Sequence, residues 1–229
     1  MNQENKIFWD KSTKLLLVSN VVTIIIAVIQ KWDLNPILWV YWFQSVIIGY
    51  FNYVRMLKVE NPNEHNLTTN ELVVKFIKKH KQTNASSFLI IYGWFQAAYL
   101  IFLIKISHIQ IKDQIINFNY LILISLISIS VCIITFYLNH RTSFNLNHQE
   151  DLRGSINTGT LMLIPFVRIL PMHIITAFAA IQVSGDSYSI GVFFTLVLVF
   201  FLSMKTVADV IMHKVEHNYL RKKEIKINI

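Results

Sequence analysis

The chain has 229 residues, of which 54% are apolar and only 15% charged, and its mean hydropathy is +0.46. A soluble domain carries roughly 25% charged residues, and here the apolar residues come in runs rather than stripes, which points to an integral membrane protein. Disorder, a disulfide scaffold and a collagen-like chain are excluded, and six Gly with four Pro are too few for a turn-rich β-sandwich. The formal charge of +8 is spread between apolar runs, so membrane topology accounts for it and no nucleic-acid partner is expected.

Met1 to Lys14 is too polar for a cleavable signal, and no small-x-small site follows the first apolar run, so that run is expected to stay as an anchor. At 1.5 Å per helical residue, six segments reach across about 30 Å of hydrocarbon. They are 15–29, 34–57, 87–106, 120–138, 162–183 and 190–212. The runs exceed strand length and lack the alternation of a barrel strand. The expected fold is therefore all-α, a polytopic membrane helical bundle of about six transmembrane helices forming one domain over residues 1–229.

Between the second and third spans, segment 69–82 reads as a short amphipathic helix. Leu72, Val73, Phe76 and Ile77 share one side, and Lys75, Lys78, Lys79 and Lys81 the other, a pattern suited to anionic lipid at the cytoplasmic leaflet. Asn139–Asn157 is polar and reads as a loop, while Cys132 sits in an apolar run, where a thiol is protonated and inert. Trp9, Trp32, Trp39 and Trp42 lie near span ends and read as interfacial belt residues. With these spans, fifteen Lys and Arg fall on one side of the membrane and two, Lys31 and Lys112, on the other. That bias places both termini in the cytoplasm of a cell-membrane protein.

A charge inside a span costs several kcal/mol, by roughly estimated scales, so it has a partner or a task. Gln44, Asn52 and Arg55 share a face of span two with Tyr41; Arg168 opens span five; Lys205, Asp209 and His213 line span six. Asn52, Arg55, Arg168, Asp209 and His213 fall at one depth, in the cytoplasmic leaflet, with Gln44 and His173 deeper. One reading is a structural network in which Asp209 bridges Arg55 or Arg168, with Lys205 and Lys105 merely snorkelling. A second is a metal-dependent intramembrane hydrolase: His173, His213 and His217 would hold a zinc ion, with Asp209 as a fourth ligand or as the catalytic base. A third is a small carrier or channel whose Asp209 and Arg168 line an aqueous path. His213-Lys214-Val215-Glu216-His217 also fits the His-x-x-Glu-His spacing of inverted zinc proteases, but only twelve residues remain for their downstream glutamate.

The run Tyr41-Trp42-Phe43-Gln44-Ser45-Val46-Ile47-Ile48-Gly49-Tyr50-Phe51-Asn52-Tyr53-Val54-Arg55-Met56 resembles the second-span signature of the domain-of-unknown-function 6498 family, prokaryotic multi-pass membrane proteins. Tyr92-Gly93-x-Phe95, then Arg168 with Met172-His173, then Lys205-Thr206-x-x-Asp209-x-x-x-His213-x-x-Glu216-His217 extend the resemblance in order. It implies a helical membrane fold with shared polar positions at Asn52, Arg55, Arg168, His173, Asp209, His213 and His217, and it implies no activity. Relative to that family's pattern, Gln44 stands in place of a glutamate, and Ile91 and Tyr99 in place of histidines. The Asp209–His213 spacing is also similar to that of the ceramidase and adiponectin-receptor zinc hydrolases, whose seven spans and early Ser/His pair this sequence lacks.

Overall fold

The computed structural model describes residues 11–32, 34–58, 71–113, 118–153, 161–169, 174 and 199–212. Among the described residues every regular element is a helix. The elements are α1 (Lys11–Ile29), α2 (Leu34–Lys58), α3 (Glu71–Asp113) and α4 (Phe118–Arg153), followed by α5 (161–169) and α6 (199–212).

The first turn of the chain is made locally. Lys31 N–H donates to Val28 O at 3.2 Å and Trp32 N–H to Ala27 O at 2.8 Å, with Lys31 in the left-handed region at φ 48°. This is a Schellman cap, and it is sealed as such caps are, by burying Trp32 with Ala27 in one core. The chain reverses there, and α2 packs along α3 and α4 while α1 packs along α4.

Contacts along the helices give their directions. Trp39 and Asn35 reach Ser107, Trp42 reaches the Gln96 carbonyl, and Ser45 reaches Tyr92, so α3 runs antiparallel to α2. Gln30 donates to Ser128 Oγ at 2.6 Å, while Leu16 packs with Phe136, so α4 runs antiparallel to α1. Asn52 donates to Leu161 O and Phe166 packs on Tyr92 and Phe95, which turns α5 upward again. Lys205 reaches Gln44 and Asn20, with Val210 packed beside Ile48 and Leu16, so α6 descends. Each helix therefore reverses the one before it.

Three helices, Asn35–Lys58, Lys78–Ser107 and Ile124–Leu146, are long and apolar enough to cross a membrane, and Thr13–Ile29 is a shorter apolar helix. Their faces differ. The α2 stretch is 56% buried, against 22% for each of the other two, so α2 is the central post. Leu89, Ile90, Trp94 and Ile104 on α3, and Leu126, Ile127 and Ile134 on α4, are exposed. In water such a surface would drive association; in hydrocarbon it costs nothing.

Close packing of α2 on α3 depends on Gly49, because a Cβ at that position would overlap the ring of Tyr92. Tyr92 stays there because its hydroxyl donates to Ser45 O at 2.8 Å and accepts from Ser45 Oγ at 2.9 Å, while Gln96 Nε2 donates to the same Oγ. A small residue thus lets two backbones approach, and a polar triad fixes the crossing.

Two expectations are corrected. Segment 69–82 is not a separate short helix: α3 is continuous from Glu71 for 43 residues, about 64 Å at 1.5 Å per residue. The polar stretch between the lysines and the apolar run holds no Gly or Pro, and Thr83 Oγ1 bonds back to Lys79 O while Asn84 bonds to His80. Asn139–Asn157 is likewise no loop as far as Arg153, since α4 continues with His140 bonded to Phe136 O and Phe144 buried. Side-chain polarity without a breaker leaves the backbone ladder intact. Of the tryptophans near span ends, Trp32 is buried and Trp39 and Trp42 are half-buried; they donate to Gln30, Ser107 and the Gln96 carbonyl. Trp9 and the remainder of spans 162–183 and 190–212 lie outside the described residues.

Candidate functional site

The sixth helix carries Lys205 and Asp209 one turn apart on one face, and their side chains meet at 2.7 Å. Both are buried, Lys205 at 7% and Asp209 at 2% exposure. An ammonium has three hydrogens to place, and here three oxygens receive them. They are Asp209 Oδ2, Asn20 Oδ1 at 3.1 Å and Gln44 Oε1. Asn20 also donates to Asp209 Oδ2 at 3.1 Å, so one amide from α1 clasps both ions. The ring faces of Tyr41 and Phe136 lie 5.1 and 5.0 Å from the ammonium and complete its shell with cation–π contacts. This lock ties α1, α2, α4 and α6 together.

Beside the lock lie two small cavities. The inner one, with about 20 Å³ of room for water centres, is bordered by Tyr41, Gln44, Lys205, Asp209 and Arg168. The outer, of about 30 Å³, is bordered by Asn52, Arg55, Asn139, His140, Ser143 and Arg168. Ile48 and Arg168 form walls of both. Arg168 is buried at 9% exposure and lies within electrostatic range of Asp209, Arg55 and Tyr92. In the outer chamber the His140 ring stacks on Phe136 at 4.2 Å and donates to the Phe136 carbonyl. Asn52 Nδ2 donates to Leu161 O at 2.9 Å, while Asn52 Oδ1 and Asn139 Oδ1 have no partner among the described residues. In the inner chamber the same holds for Tyr41 Oη and Gln44 Nε2.

A family model covers residues 5–226 of the chain. The chain belongs to the family of unknown function DUF6498. Neither a curated protein nor a solved structure matches it. Of the polar positions that suggest this family, the described ones, Asn52, Arg55, Arg168 and Asp209, lie near one another, though not as one cluster. Asp209 groups with Gln44, which the sequence places deeper, and Asn52 with Arg55 forms the other group; Arg168 joins the two.

Lys205 corrects the sequence reading most sharply. It does not snorkel, because its ammonium is held inside by Asp209, Asn20 and Gln44, whereas Lys105 is exposed. Asn20 had drawn no attention, although a signal was there. Ser19, Asn20 and Thr23 interrupt an apolar run on one buried face. Ser19 and Thr23 bond back to the carbonyls of Leu16 and Ser19; the amide of Asn20 reaches out to another helix instead. The zinc candidates His173, His213 and His217 lie outside the described residues, and among the described residues no group of three metal-ligating side chains gathers.

Proposed function

We propose that this DUF6498 chain is a six-span cell-membrane protein with both termini cytoplasmic, acting as a small-ion carrier. The alternation of direction through α1 to α6 supports an even number of crossings, and the fifteen-to-two distribution of Lys and Arg supports the orientation. The 43-residue α3 is longer than about 30 Å of hydrocarbon requires. Its first turns then stand in the cytoplasm, with Lys75, Lys78 and Lys79 exposed and Lys81 half-buried beside anionic headgroups.

The carrier reading rests on one observation: two small chambers share Arg168 and Ile48 as walls, and the inner one borders a buried ion pair inside apolar helices. Movement of the Arg168 side chain would join them into a hydrated path. The orientation is tested by labelling from outside the cell on a Cys132→Ser background. Lys31→Cys should react with an impermeant thiol reagent and Lys79→Cys should not; the reverse pattern overturns the topology. The activity is tested with purified protein in salt-loaded liposomes, following ion release by electrode. Release above that of empty vesicles, altered by Arg168→Gln, is expected, and wild-type release equal to that of empty vesicles would sink the carrier reading.

A further inference from the structure

The two chambers differ in the hydrogen-bonding groups they leave over. Among the described residues the outer chamber leaves the carbonyl acceptors Asn52 Oδ1 and Asn139 Oδ1, on a wall it shares with the guanidinium groups of Arg55 and Arg168. The inner chamber leaves Gln44 Nε2, which can only donate, and Tyr41 Oη, which can. The Gln44 amide cannot be turned to change this, because its Oε1 accepts from Lys205. Both residues are deeply buried, at 1% and 4% exposure. A donor left unmet in such a place is costly, so an occupant is called for.

Size and charge narrow the occupant. About 20 Å³ of room exceeds the ~10–15 Å³ that one water needs and suits a small occupant. Asp209 is matched by Lys205 at 2.7 Å, and its Oδ2 also receives Asn20. The guanidinium of Arg168, whatever else it binds, adds positive charge to the same wall. Gln44 Nε2 offers a cation no lone pair, and two cationic side chains, Lys205 and Arg168, line the same chamber. We infer that the inner chamber is a binding site for one small monovalent anion of the halide class, held by the Gln44 amide hydrogens and the Tyr41 hydroxyl beside Arg168. This names the ion for the carrier reading and rests on that reading only for what the binding is for.

Binding is measured apart from transport. Full-length protein in detergent is unfolded thermally in chloride, bromide or gluconate at equal ionic strength, gluconate being too large to enter. Halide should raise the midpoint by about 2–4 °C with a saturable dependence. Tyr41→Phe keeps the ring over Lys205 and removes only the hydroxyl, and should weaken the apparent halide affinity several-fold. Gln44→Glu supplies a fixed carboxylate in the anion's place and should abolish the dependence. A halide-independent midpoint in wild type, as expected of a resident water alone, overturns the inference, as does an unchanged affinity in Tyr41→Phe. Halide binding without ion release would end the carrier reading and leave the site standing; ion release without halide binding would do the opposite.

Discussion

The lock and the outer chamber hang from the same face of α2, through Gln44 and Asn52, yet they are finished to opposite degrees. Around Lys205 each of three hydrogens meets an oxygen, and two aromatic faces close the remaining sides. Around Asn52 and Asn139, two carbonyl oxygens have no partner among the described residues, and a cavity stands where packing would otherwise be. A buried charge must be closed off completely because hydrocarbon offers no substitute for water. A polar group left open is tolerable only where something else can reach it. The contrast assigns rigidity to the cage around the ammonium and exchange to the chambers beside it.

The severest test of the contrast is Asp209→Asn, which strips Lys205 of its counter-charge. It should cost about 3–5 kcal/mol, read as loss of monodisperse protein after detergent extraction. Lys205→Met combined with Asp209→Leu removes both charges. It should recover most of that loss, because a buried pair is often no better than an apolar replacement. If the double variant is as unstable as the single, the cost lies in the site's shape and not in its charge. Next in size is Gln44→Met, which withdraws one acceptor from the ammonium and should cost about 1.5–3 kcal/mol in thermal or denaturant unfolding. Smallest is Asn139→Leu in the outer chamber, where no described acceptor contact is lost. Its stability should change by less than about 1 kcal/mol while ion release in liposomes falls. A large loss of stability there would erase the distinction between the regions.

The sequence specified the frame well where apolar runs coincide with helices, and α2 matches its predicted span almost to the residue. It failed where the reading depended on polarity alone. Thr83, Asn84 and His140 look like linker residues but bond to the preceding turn, so α3 and α4 continue through them. Within the site, the sequence picked out Gln44, Asn52, Arg55, Arg168 and Asp209 because each is costly in a span. It misjudged Lys205 because a lysine stem is long enough to escape, and nothing in α6 alone shows that three oxygens wait inside. Asn20 was missed for a similar reason: its partner is 189 residues away, and no periodicity connects the first helix to the last.

That distance has a consequence for how the protein is made. Chains emerge from the N-terminus first, so α1 is made long before α6. Until then Asn20 carries an amide built to clasp two ions that have not been synthesised. α6 carries both of them, already joined, and its docking lets Asn20 bind Lys205 and Asp209 in one step. The lock is therefore closed late in synthesis, and a chain stopped short of α6 leaves Asn20 without those partners.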